Sequence, residues 1–144
     1  MNVHEIMTEN PAFVQPTTTL YDTLNKMEAV GCHHMPVLSN SGHLVGIVSA
    51  SDCLMSLGET YTKQEGWKHN PQAKLQVVRD AMTTAPIIIE PNAPAINAAR
   101  LMLENYIGCL PVMRGETLVG IITKSDILMA FIVAERRAKP FSNE

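Results

Sequence analysis

The chain is short of several things that would mark it as secreted, membrane-embedded or polyanion-binding. Its 144 residues hold only three cysteines, Cys32, Cys53 and Cys109, with no C-x-x-C pair. That is no disulfide framework, and it suits a reducing compartment where a thiol behaves as a small core residue. Aromatic residues reach only 5%, with a single tryptophan, and charged residues only 17%. No apolar run approaches the roughly 18 residues of a membrane span, and the opening Met1-Asn2-Val3-His4-Glu5 lacks the charged-then-apolar pattern of a secretory signal, so a cytoplasmic location is expected. The formal charge of −3 leaves no concentrated basic face, which argues against nucleic acid or an anionic membrane as partner. Arg136, Arg137 and Lys139 form the one basic cluster, which a solvated helix end explains. With 46% apolar residues, the chain has enough to build one core or two half-size units sharing one, but not two independent domains.

An internal repeat is what the chain does have. Val3 to Leu38 aligns with Val78 to Met113, and after a one-residue loss in a turn Gly42 to Leu57 aligns with Glu116 to Phe131. Identities occur at 16 of the 52 paired positions, including Met7-Thr8 with Met82-Thr83, Pro36-Val37 with Pro111-Val112, and Leu-Val-Gly-Ile in both copies. Each copy reads as strand, helix, strand, strand, helix. The expected first strands are Ala12-Phe13-Val14 and Ile87-Ile88-Ile89. Helices follow from Thr19, with Leu20, Leu24, Met27 and Val30 on one face, and from about Pro94, with Ile96, Ala99, Met102 and Leu103 as the buried stripe. Met35 to Leu38 and Leu44 to Val48, like Leu110 to Met113 and Leu118 to Ile122, should form antiparallel hairpins. The last helices start near Ser51 and Ser125 and turn Leu54 and Leu57, or Ile127, Leu128, Phe131 and Ile132, inward. The expected division is residues 1–57, a connection 58–77, residues 78–138 and a tail 139–144. The connection carries Tyr61, Lys63 and Trp67. Its length implies that it covers a surface or moves, and Trp67 reads as an anchor to the core, with a ligand or partner contact as the alternative.

Both copies carry Gly, two apolar residues, Ser or Thr, two variable residues and Asp: Gly46 to Ser49 and Asp52, then Gly120 to Thr123 and Asp126. A glycine at a strand edge lets a planar group approach the backbone. A hydroxyl with the free amides of a first helical turn suits a phosphate, and a carboxylate can accept two hydrogen bonds from a diol. The same spacing also satisfies a capping box, in which the acid merely returns to the first amide. Both readings stand on the sequence. Cys32, His33 and His34 do not point to a metal, because neighbours on an extended segment face opposite ways. No nucleophile has an assignable base, and no glycine-rich phosphate loop is present, so catalysis is not expected.

The paired Met-Thr openings, His-Met-Pro-Val and Cys-Leu-Pro-Val, and Gly-x-x-(Ser/Thr)-x-x-Asp resemble the cystathionine-β-synthase (CBS) domain in tandem form over nearly the whole chain. The resemblance implies an α/β (α+β) fold of two β-α-β-β-α repeats packed sheet to sheet as one pseudo-twofold module. It implies clefts that in many members bind AMP, ATP or S-adenosylmethionine, with no resident cofactor, and dimerisation into a disc, possible effectors being separate proteins. Carried over, Thr123 and Asp126 meet phosphate and ribose in a cleft lined by Thr8, Ala12, Cys32 and His33. Ser49 and Asp52 do so in a second, lined by Thr83, Ile87, Ile107 and Gly108. Lys124 and His33 favour the first cleft for a polyanion, since the second has Ala50 and Gly108 instead. The implied role is a non-catalytic regulatory module, with a structural dimerisation scaffold as the alternative.

Overall fold

The computed structural model describes residues 1–59 and 65–138; Tyr61, Lys63, Lys139 and the proposed tail lie outside that range. Two compact units emerge, each α+β with one three-stranded sheet. Pro11–Pro86 is continuous in sequence, whereas the other unit is composite, joining Met1–Asn10 to residues 87–138.

In the continuous unit, α2 (Leu20–Val30) precedes the hairpin of β2 (His34–Leu38) and β3 (Leu44–Ser49), and α3 (Ala50–Ser56) follows. Thr19 caps α2 by accepting from the Asp22 amide at 3.1 Å, and Gly31 ends the helix at φ +80°. Glycine tolerates that left-handed geometry because it has no Cβ. The composite unit begins with α1 (Val3–Ile6) and β1 (Thr8–Glu9) and resumes with α4 (Ala95–Asn105), β5 (Cys109–Arg114), β6 (Thr117–Thr123) and α5 (Lys124–Ala138). Both hairpins are antiparallel, and each carries an irregularity at the repeat-equivalent step, Val37/Leu38 and Val112/Met113.

The third strand of each sheet corrects the sequence reading. Ala12 to Val14 and Ile87 to Ile89 shrink to single parallel bridges, Val14 on Val37 and Ile89 on Val112. The strands are instead β1, paired Thr8↔Ile121, and β4 (Thr83–Thr84), paired Thr83↔Ile47. Asn10 and Ala85, at φ +46° and +48°, halt the extended run after two residues. The prolines that follow cannot donate to a ladder. Strand β1 therefore belongs to the sheet of the second repeat's hairpin.

Helix faces also differ from expectation. Leu20, Leu24 and Met27 are buried, but Val30 is exposed. On α4 the buried positions are Ala95, Ala98 and Met102, while Ile96 and Leu103 are 64% and 73% exposed. The stripe is thus one position out of phase with the largest side chains, alanine packing where the sheet comes close. The core of the composite unit centres on Val3, Ile89, Leu110, Val112 and Ile122. No residue of α5 is fully buried: Ile127 packs against that core, but Leu128, Phe131 and Ile132 face outward.

The connection between repeats lies across α2 of the continuous unit. It runs through 3-10 turns at Gly66–His69, Pro71–Lys74 and Val78–Asp80. Trp67 is buried, edge-on to Tyr21 with ring centroids 5.5 Å apart, and Lys74 sits 4.7 Å from the Tyr21 centroid. The Leu20 amide donates to Gln76 O at 3.0 Å, and Asn70 Nδ2 to Leu57 O at 3.1 Å. This segment covers a surface, with Trp67 as its anchor.

Candidate functional site

Each Gly-x-x-(Ser/Thr)-x-x-Asp stretch spans the end of a strand and the first turn of a helix. At the first, the Ser49 amide donates to Asp52 Oδ2 at 3.1 Å and the Asp52 amide to Ser49 Oγ at 2.9 Å, closing a reciprocal capping box. At the second, Asp126 Oδ2 accepts from the Thr123 amide at 2.9 Å and from Thr123 Oγ1 at 3.1 Å, and the Asp126 amide reaches Thr123 Oγ1 at 3.3 Å. The capping alternative is therefore realised in both repeats. In both it uses only Oδ2, and among the described residues Oδ1 accepts no hydrogen bond. Each carboxylate keeps one oxygen with which to accept from an outside donor.

The strand that crosses the glycine explains why that position has no side chain. A Cβ on Gly46 would lie 2.8 Å from Thr83 O and 2.9 Å from Met82 Sδ; on Gly120 it would lie 2.9 Å from Thr8 O and 2.5 Å from Met7 Sδ. The sequence reading reserved this notch for a planar ligand. Instead, the chain's own Met-Thr opening fills it, so the duplicated glycine and the duplicated Met-Thr are two sides of one backbone crossing.

That crossing decides which candidate residues share a unit. Thr8 lies in the composite unit with Thr123, Lys124 and Asp126, on β1 against β6. Thr83 lies in the continuous unit with Ser49 and Asp52, on β4 against β3. Ile87, Ile107 and Gly108 belong to the composite unit, and Ala12, Cys32 and His33 to the continuous one. Gly108 O accepts from the Lys124 amide at 3.1 Å and His33 O from the Ala50 amide at 2.9 Å, which ties the start of each hairpin to the start of its final helix. Lys124 and His33 are exposed, and Asp52 and Asp126 are half-buried.

The titratable groups around the first junction are tuned by burial. His34 is held below its ordinary value by desolvation and then by neighbouring His33, with Asp52 opposing. Cys53, buried on α3, is pushed up to about 12 by desolvation and by Asp52, so its thiol is inert. Burial also raises Cys32, against the His34 amide and Lys26. Among the described residues no three His, Cys, Asp or Glu side chains gather in a metal-binding cluster, and no helix is long and apolar enough to cross a membrane.

A groove of about 400 Å³ that no sequence motif marks lies in the composite unit, where α1 and Met1 face α5; its lining includes Asp126, Ala130, Val133 and Arg137. The i, i+4, i+7, i+11 spacing of those four marks one helical face and was available in the sequence.

Comparison with known proteins places this geometry. The CBS domain family model matches twice, over residues 3–59 and 78–133. A CBS domain-containing protein of Dictyostelium discoideum is 29% identical over 127 residues, covering 88% of each chain. Among solved structures, AcuB of Vibrio cholerae is 32% identical at a TM-score of 0.75, covering 100% of this chain and 98% of its own. CBSX2 of Arabidopsis thaliana, determined in complex with AMP, is 30% identical at a TM-score of 0.75, covering 94% and 98%. Two family-model matches, one on each repeat, and full-length structural likeness make this chain a tandem member of the CBS domain family.

Proposed function

We propose that the chain is a non-catalytic regulatory module that binds an adenosine-containing ligand, AMP, ATP or S-adenosylmethionine, and signals through a change in packing. The observation that carries this reading is the hydroxyl and half-capped carboxylate at the head of α5, beside Lys124. One carboxylate oxygen is left to accept from a ribose diol, while Thr123 and the first-turn amides suit a phosphate. The AMP bound to CBSX2, a relative at 30% identity, supports the same ligand class. The junction at α5 is favoured over that at α3 for a charged ligand. Helix α5 begins with Lys124 where α3 begins with Ala50. Thr8 is assigned to the first site, in the same unit as Thr123 and Asp126, and Thr83 to the second, in the same unit as Ser49 and Asp52. Self-association belongs to this reading, because a 15-residue helix with no fully buried residue needs another surface.

Isothermal calorimetry with AMP, ATP and S-adenosylmethionine on the parent and Asp126→Ala tests it. Loss of the ribose contact should weaken binding by roughly 1.5–3 kcal/mol, about ten- to a hundredfold. The observed caps favour a second reading, a structural scaffold whose acids only end helices. On that reading Asp126→Ala lowers the melting temperature and leaves every isotherm unchanged.

A further inference from the structure

A second hollow of the composite unit, of about 410 Å³, lies at the far end of β6 from Asp126. Strand β6 runs from Thr117 in this hollow to Thr123 at the helix junction, roughly 20 Å away. The polar lining comes from separate segments: His4 on α1, Glu9 and Asn10 at the end of β1, Asn92 before α4, and Arg114 and Thr117 flanking the hairpin turn. The register of the sheet brings the two charges to one face. Val112 pairs with Gly120 and Met113 with Leu118, so the irregularity passes over Val119 and returns Arg114 and Thr117 to the face of Val112 and Gly120. Glu9, opposite Gly120, joins them. This is the face whose Val112 and Ile122 share a core with Ala98 and Met102 of α4. Glu9 and Arg114 sit on the two strands that flank β6, roughly 14 Å apart at their α-carbons by strand spacing. Among the described residues neither has a salt bridge.

We propose that this hollow binds a small zwitterion, a free amino acid, whose carboxylate meets Arg114 and whose ammonium meets Glu9. The guanidinium offers a carboxylate two parallel N–H donors, and the acid accepts from an ammonium. The pair also selects by repulsion: Glu9 opposes a phosphate chain and Arg114 a simple amine, so a ligand with one charge of each sign fits best. Asn10, Asn92 and Thr117 make no side-chain hydrogen bond among the described residues, which leaves an amide or hydroxyl for a polar side chain of the ligand. His4 is held in place, its Nδ1 donating to Pro91 O at 3.0 Å. The other repeat serves as a control. The apolar floor is the same in both, Met7, Leu118 and Val119 matching Met82, Leu44 and Val45. The polar positions are not: Thr84, Ala85, Thr17 and Ser39 stand where the composite unit has Glu9, Asn10, Asn92 and Arg114. Arg79 and His43 replace His4 and Thr117, so the continuous unit has bases there and no acid. The fold therefore requires the floor, and the paired charges are an addition to it.

Nuclear magnetic resonance titration of the full chain with each of the common L-amino acids, into the millimolar range and without nucleotide, tests this. At least one should shift the amides of Glu9, Asn10 and Thr117 in a saturable way. Arg114→Gln and Glu9→Gln, both at exposed positions, should each weaken that binding by about tenfold or more. Acetylating the amino group of the same amino acid should weaken it as Glu9→Gln does. Asp126→Ala, at the other end of β6, should leave it at the parent value. Silence from every amino acid overturns the proposal, as does binding that survives both substitutions or disappears in Asp126→Ala. Loss in Arg114→Gln alone, with the acetylated form still bound at full strength, makes the hollow a plain carboxylate site and overturns the zwitterion. None of these failures touches the adenosine reading, whose own test is Asp126→Ala against nucleotide.

Discussion

The two repeats share their junctions and differ in what covers them. In the continuous unit the connecting segment, anchored by Trp67, packs across α2, and the final helix stops after seven residues with Cys53 buried. Among the described residues of the composite unit nothing corresponds to that segment, and the final helix runs for 15 residues with none fully buried. Duplication preserved the parts that make a strand turn into a capped helix: the glycine crossing, the hydroxyl and the acid. Outer helix surfaces diverged, one being closed by its own chain and the other left open. Residues that must fit a backbone crossing have few alternatives, whereas a helix exterior tolerates many.

The sharpest way to break this comparison is to remove the cover from one half only. Trp67→Ala should cost about 3–5 kcal/mol by opening a cavity beside Tyr21, seen as a large fall in the urea midpoint. Tyr106→Ala, on the open half, should cost little, because the side chain is 92% exposed. Next come the crossings, where the halves should respond alike. Gly46→Ala and Gly120→Ala should each cost about 1–3 kcal/mol, since the new methyl meets a backbone carbonyl that cannot swing aside. A loss in only one would show that the crossings are not equivalent.

Smaller still is the helix end. Gly31 and the repeat-equivalent Tyr106 are both left-handed, at φ +80° and +54°. Tyr106→Gly should therefore stabilise by up to about 1 kcal/mol, and Gly31→Ala should destabilise by about as much, measured as opposite shifts in melting temperature. The smallest difference is one of pH. His34 stands where the second repeat has Cys109. Its folded value lies below the ordinary 6.5, so the unfolded chain takes up the proton first as pH falls. Its contribution is complete above about 6.5 and is lost as pH drops through the folded value. His34→Cys should flatten that acid limb in denaturation curves measured across this range.

Much of this was legible in the sequence because it is carried by strong local signals. Both hairpins announce themselves by β-branched runs around short polar turns. Ser49, Asp52, Thr123 and Asp126 carry the spacing that a strand-to-helix junction requires. The exchanged strands were not legible, since two residues have no periodicity and Ala12 to Val14 looked the better strand. Nor was the role of Gly46 and Gly120, because a notch filled by distant backbone and a notch open to a ligand need the same residue. The phase of α4 escaped for a simpler reason. Leucine and isoleucine marked the wrong face of a helix that packs through alanine.

The strand exchange has a consequence for how the molecule is made. Thr8 pairs with Ile121, so β1 must wait for a strand more than a hundred residues downstream to be synthesised before it can pair. The strands of Pro11–Pro86 meet their partners much sooner, because all three lie within that stretch. A nascent chain halted before β6 would hold Thr8 and Glu9 without the strand that satisfies their backbone.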